Sequence, residues 1–205
     1  MLKTTATMIN KEALDLTRRM ALMAQYREPG VENHLERIRG YCFVLAHGLG
    51  LSSTEVELIS HASQLHDIGY VGVPEAVLDK SGQLTAYEWE QIKRHPSIGA
   101  ELLSGSSSPL LQAGELIALS HHERWDGSGY PQALRGEDIP LGGRICAVAD
   151  VFDALTSKRA YKQEITVEEA LKLILDSSGQ LFDPKLVRLF RDGFDEILRV
   201  RQFNI

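Results

Sequence analysis

Arg144-Ile145-Cys146-Ala147-Val148-Ala149-Asp150-Val151-Phe152-Asp153-Ala154-Leu155-Thr156 decides the fold. Ile145, Ala147, Val148, Ala149, Val151, Ala154 and Leu155 leave no polar stripe, so the segment reads as a helix buried on every side. A carboxylate in such a place costs on the order of several kcal/mol unless a partner or a metal compensates it. Asp150 therefore needs one or the other. Standing alone it would read as a hydrogen-bonded core aspartate.

Working outward, the chain divides into further helices. Lys11 to Gln25 carries Leu14, Ala21 and Leu22 among charges, an amphipathic pattern that Pro29-Gly30 ends. A second helix is expected from about Val31 to His47, with Leu35, Ile38, Cys42 and Leu45 inward. Ser52 and Glu55 have capping-box spacing ahead of a third, which should run on to Ile68-Gly69. Thr85 with Glu88 repeats the pattern for a helix reaching His95, and Thr166 with Glu169 repeats it again. Pro96 opens a helix over Ser97 to Leu103, another spans Leu110 to His121-His122, and Asp183-Pro184 is an N-cap followed by a first-turn proline. No alternating strand and no repeat is found. The expected fold is all-α: one domain over 28–205 behind an N-terminal helical extension over 1–27.

The sequence has 205 residues and a net charge of −6, which argues against polymeric nucleic acid or an acidic membrane as partner. Lys11, Glu12, Asp15, Arg18 and Arg19 break every apolar run that could serve as a leader, and no stretch is long enough to span a bilayer. Cys42 and Cys146 each sit in an apolar segment and read as buried thiols of a reducing compartment. A cytoplasmic protein is expected.

Of the seven histidines, five occur in one kind of setting. His66-Asp67 closes an apolar helix, His95 closes another, and His121-His122 follows Leu116-Ile117-Ala118-Leu119. His34 lies near the core face of the second helix. Neutral imidazole is the commonest transition-metal ligand, and with Asp150 these residues form a candidate ligand set. His47 and His61 are left at the surface or core edge. After His122 comes Glu123-Arg124-Trp125-Asp126-Gly127-Ser128-Gly129-Tyr130-Pro131, a loop bent by glycine and proline that would bring substrate beside the metal.

At this point the chain resembles the HD superfamily of phosphohydrolases, through His66-Asp67-Ile68-Gly69. It is similar in particular to the HD-GYP family, through His121 to Pro131. Gly72-Val73-Pro74, Gly82-Gln83-Leu84-Thr85, Arg144 to Asp150, Asp153 to Ser157 and Phe182-Asp183-Pro184 extend the likeness over about Asn33 to Phe190. The resemblance implies an HD-domain helical bundle that hydrolyses cyclic di-GMP to pGpG or GMP with two divalent metal ions, iron first and manganese next. His34, His66, Asp67 and Asp150 would hold one ion. Asp67 would bridge to a second, held by His95, His121 and His122, and position the hydroxide that attacks. Gly129, Tyr130 and Pro131 would line the substrate, with Arg159 and Lys162 on its phosphate and guanine. A homodimer or a signalling-protein partner is also expected.

Two departures bear on activity. Where the family has lysine after His-Asp-Ile-Gly, this chain has Tyr70, a neutral donor near pH 7. Intact metal binding with weakened turnover is the expectation. Gly30 occupies the place from which some members supply a glutamate to a third metal, and Glu28 and Glu32 lack the spacing, so two metals are expected. Tyr70 keeps open a weakly active cyclic-dinucleotide receptor, and a phosphohydrolase of another nucleotide is the remaining alternative.

Overall fold

The helix at the centre is Leu141–Thr156, and none of its side chains is fully exposed. In this computed structural model, residues 11–26, 33–80, 82–157 and 164–203 are described. In chain order the helices are α1 (Lys11–Gln25), α2 (His34–Gly48), α3 (Ser53–Ala62), α4 (Glu75–Leu78), α5 (Ala86–Ile92) and α6 (His95–Leu103). Then follow α7 (Pro109–Ser120), α8 (Leu141–Thr156), α9 (Val167–Asp176), α10 (Pro184–Asp192) and α11 (Phe194–Phe203). Among the described residues there is no strand, and one isolated bridge joins Ser178 to Phe182. The fold is all-α.

The local signals act where the sequence puts them. Ser52, Thr85 and Thr166 each accept the N–H three residues on, while Glu55, Glu88 and Glu169 reach back to the capping N–H. Two of the four orphan donors at each helix start are thereby satisfied. Asp183 caps α10 by accepting from Lys185 N at 2.8 Å.

α8 packs against α2, α7 and α9. Its Ile145, Val148 and Phe152 join Ile38, Tyr41 and Leu45 of α2 and Phe190 of α10 in the main core. Tyr41, Phe190 and Phe194 pack around Phe152 at 5.1–6.0 Å between ring centres. Truncating Phe152 to alanine would cost roughly 3–5 kcal/mol, because this cage cannot collapse. A second core joins Ala21 and Ala24 of α1 to Leu35, Leu65, Ile68, Leu103 and Ala118. Cys42 and Cys146 are buried free thiols.

The central helix begins at Leu141 rather than Arg144, and two boundaries beside the histidines also differ from the expected ones. α3 stops at Ala62, and the chain tightens into 3-10 turns over Ser63–Leu65 and Ile68–Gly72. Ser63 Oγ donates to Ser60 O and His66 Nδ1 to Ser63 O, both at 2.8 Å, so side chains take carbonyls that an α-helix would have used. α5 ends at Ile92, and α6 starts at His95 rather than after Pro96. Proline lacks an N–H and disfavours helical geometry before it, so α5 cannot run through, yet it fits the first turn of the next helix.

Candidate metal centre

Helix ends aim the histidines. His34 opens α2, His66 and Asp67 lie between the two 3-10 turns, His95 opens α6, and His121 and His122 follow α7. Asp150 comes from the interior of α8. His34, His66, His95 and His121 are buried, while Asp67, His122 and Asp150 are half-buried. Their donor atoms form two groups, His34 with His66 and Asp150, and Asp67 with His95, His121 and His122. Within each group the atoms lie within 4.8 Å of one another.

Asp67 joins the groups. Its Oδ2 is 3.0 Å from His66 Nε2, and its Oδ1 is 3.3 Å from His95 Nε2 and 3.4 Å from His121 Nε2. His66 Nε2 is also 3.9 Å from Asp150 Oδ1.

The outer nitrogens of these rings are committed elsewhere. Nδ1 of His66, His95 and His121 donates to the carbonyls of Ser63, Ile92 and Ala118 at 2.8, 2.8 and 2.9 Å. A carbonyl can only accept, so Nδ1 carries a proton and Nε2 is turned inward, offering a lone pair whenever the ring is neutral. His95 Nε2 and His121 Nε2 thus face each other at 3.2 Å with no proton of their own to share. Buried His34 Nε2 and His66 Nε2 make no hydrogen bond. His66 Nε2 and Asp67 Oδ2 face a common point, where the carboxylate favours a proton on that nitrogen until a cation takes its place. Two nitrogens bound at right angles to one cation at ~2.1 Å would lie ~3.0 Å apart. Lone pairs and carboxylates converging at such spacings fit a divalent cation in each group.

Electrostatics agree with that fit. Burial pulls the His66 imidazole down, but the Asp67 and Asp150 carboxylates outweigh it and hold the ring at about 10. Burial, then the neighbouring His121 and His95, push His122 down to about 2. Despite its burial, Asp67 is held well below the usual carboxylate range by His66, His121 and His95. The cluster draws positive charge and leaves His122 neutral, which are the conditions for cation binding.

A family model for the HD domain matches residues 18–186. The chain belongs to the HD domain family. Its match starts inside α1, which packs on the turns holding His66 and Asp67. A cyclic di-GMP phosphodiesterase response regulator, RpfG of Xanthomonas campestris pv. campestris, is 52% identical over 169 residues, 82% of this chain and 45% of that protein. The 3'3'-cGAMP-specific phosphodiesterase 2 of Vibrio cholerae is 45% identical over 181 residues, 88% of this chain and 34% of that protein. The chain thus spans between a third and a half of the length of these curated relatives. A cyclic GMP-AMP specific phosphodiesterase of V. cholerae, V-cGAP3, has the same fold, with a TM-score of 0.64 at 24% identity over 92% of this chain and 53% of that one.

This HD domain contains supporting residues to which the sequence reading gave no role. His34 Nδ1 meets Asp153 Oδ2 at 2.7 Å. Asp153 also accepts from Arg37 Nε at 2.6 Å and Nη2 at 3.0 Å, and Arg37 donates to Ser157 Oγ at 3.0 Å. Burial raises the Asp153 carboxyl, but His34 and Arg37 bring it far below its ordinary value. A carboxylate behind an imidazole fixes its tautomer and orientation. The available signal was spacing: Asp153 follows Asp150 by three residues, and Arg37 follows His34 by three. Glu123 was missed likewise. It is buried and accepts from Gln132 N at 2.7 Å and Leu134 N at 3.0 Å, tying the loop to its own start.

In that loop Tyr130 stacks on His122, ring centres 4.8 Å apart and planes 21° apart, with its N–H on His122 O at 3.2 Å. Burial and the Asp67 and Asp150 carboxylates push its phenol up, so it stays a donor. What approaches Gly129 is the chain itself: a Cβ there would collide with the backbone of Glu123 and Arg124. Pro131 follows at the exposed edge. Trp125 packs under Arg144, 5.8 Å from the guanidinium carbon. Tyr70 lies flat against His95, ring centres 4.3 Å apart and planes 9° apart. His61 pairs with Glu57 at 3.2 Å, and His47 stacks on Phe43, both away from the cluster. Arg159 and Lys162 lie outside the described residues, as do Glu28, Gly30 and Glu32.

Proposed function

We propose that this HD domain hydrolyses the phosphodiester bonds of cyclic dinucleotides, cyclic di-GMP foremost, to pGpG or GMP. The observation that carries this reading is Asp67, whose two oxygens face two separate groups of inward lone pairs beside Tyr130. The relatives named for cyclic di-GMP and 3'3'-cGAMP support the substrate class.

His34, His66 and Asp150 would hold one divalent ion and His95, His121 and His122 the other, with Asp67 between them. The donors are imidazole and carboxylate without thiolate, which suits iron first and manganese next. When bound, two such ions supply charge for the phosphate oxygens of the transition state and lower the pKa of an attacking water. The chain's own contribution is orientation. Backbone carbonyls and Asp153 lock the imidazoles, so the site need not reorganise as charge develops. Tyr130 would donate from its phenol to substrate beside the cluster, and Gly129 and Pro131 shape the loop that presents it. Arg159 and Lys162 would complete the phosphate and guanine contacts.

Tyr70 favours a second reading, a receptor that binds the nucleotide and turns it over slowly. Its ring is stacked on His95 and brings no fixed charge to a leaving oxygen. Among the described residues no helix is long and apolar enough to cross a membrane. Two free buried thiols fit a cytoplasmic location, and a homodimer or signalling partner would supply regulation.

The deciding experiment loads the protein anaerobically with iron(II) or manganese(II) and follows cyclic di-GMP, 3'3'-cGAMP and pGpG by chromatography. Hydrolysis of cyclic di-GMP that disappears in Asp67→Asn supports the enzyme. Binding without product supports the receptor, and neither binding nor turnover of either cyclic dinucleotide overturns both.

A further inference from the structure

Tyr130 carries more than His122. The ammonium of Lys93 stands over the same ring, 6.0 Å from its centre. Lys93 closes α5, its N–H bonded to Trp89 O at 3.0 Å, and precedes His95 by two residues. One short turn therefore carries both a proposed metal ligand and this cation. The ring of His122 lies between, 4.9 Å from that of His95 and 4.8 Å from that of Tyr130. Lys93 is thus set about one aromatic layer out from the metal cluster.

Its present partner is Glu90, at 2.5 Å and mostly exposed. Exposed pairs of this kind contribute little, so a phosphate can displace the carboxylate. A cyclic dinucleotide holds two phosphates on opposite sides of one small ring. If one is cleaved at the cluster, the other must lie beyond it and brings a negative charge needing a partner.

We propose that Lys93 receives the second, uncleaved phosphate of the cyclic dinucleotide and so selects two-phosphate substrates over simple phosphodiesters. This assignment rests on the proposed cyclic-dinucleotide hydrolysis.

The test compares manganese-loaded wild type, Lys93→Gln and Lys93→Arg on cyclic di-GMP and on bis(p-nitrophenyl) phosphate, which has one phosphate. Metal content is measured for each protein. Lys93→Gln should raise KM for cyclic di-GMP on the order of tenfold, the effect of losing one charge-assisted hydrogen bond. Its kcat should stay within about twofold, as expected for lost ground-state binding. Kinetics on bis(p-nitrophenyl) phosphate and metal content should not change, and Lys93→Arg should restore most of the KM. An unchanged KM for cyclic di-GMP, equal losses on both substrates, or loss of metal overturns the assignment while hydrolysis by wild type stands. If wild type cleaves bis(p-nitrophenyl) phosphate but neither binds nor cleaves cyclic di-GMP, the substrate class is wrong and the Lys93 assignment falls with it.

Discussion

Asp153 and His34 stand 119 positions apart in the chain, yet the carboxylate of one meets Nδ1 of the other at 2.7 Å. Asp153 is fully buried and also binds Arg37, so α8 and α2 are joined by one charged network directly behind the proposed ligand His34. Asp153→Asn should lower metal affinity by roughly 10–100-fold, since the imidazole loses the charged acceptor that fixes its tautomer and orientation. It should also lower stability by roughly 3–5 kcal/mol, because Arg37 stays buried without its counter-charge. Metal titration and denaturant unfolding of the same variant check both. Lost stability with native metal affinity would show that Asp153 only holds the helices together.

Gly69 packs where α6 begins. A Cβ added there would strike His95 O and Gly99 N, backbone atoms that cannot swing aside. Gly69→Ala should therefore displace the start of α6, losing several kcal/mol by the overpacking route. His95 would move with it. Thermal unfolding should fall, and metal retained per chain should drop in the fraction that still folds. An alanine variant with native melting temperature and metal content would contradict the geometry.

Tyr70 lies flat on His95, at the position where the resemblance to the HD-GYP family implies lysine. Tyr70→Lys should raise kcat for cyclic di-GMP by on the order of tenfold, by placing a positive donor near the phosphate as charge builds. Metal content should be unchanged. Steady-state kinetics decide the matter, and an equal or lower kcat would count against a deficit at this position.

Metal loading should release protons. In the metal-free cluster the His66 pKa is raised from 6.5 to about 10, because the Asp67 and Asp150 charges outweigh burial. Being raised, it contributes stability to the metal-free protein that is complete below about 6.5 and fades as pH rises through about 10. A cation needs the same nitrogen unprotonated, so near pH 7 binding must expel about one proton, and affinity should climb with pH towards 10. Calorimetry in buffers of different ionisation enthalpy measures the proton count. A count of zero at pH 7 would mean that His66 is already neutral.

Much of this protein was legible as a string of residues, because the relevant forces are local. Ser52–Glu55, Thr85–Glu88 and Thr166–Glu169 satisfy backbone groups within one turn, so spacing alone announces the helix starts. The apolar run of α8 allowed only a buried helix, and carboxylates inside it had to be compensated. The His and Asp residues that the structure gathers into two groups were the same ones that stood out in apolar settings or in motifs. What remained hidden depends on contacts between distant segments. Nothing near His34 announces Asp153 as its acceptor, and nothing near Tyr70 announces the ring of His95. Gly129 was expected to line the substrate, but which backbone it lets approach, that of Glu123 and Arg124, follows only from the folded loop. Sequence determined which residues need partners, since that follows from desolvating a charge or a donor. The packing of α2, α6, α7 and α8 chose which partner each received, because side chains a hundred positions apart meet only once the helices have docked.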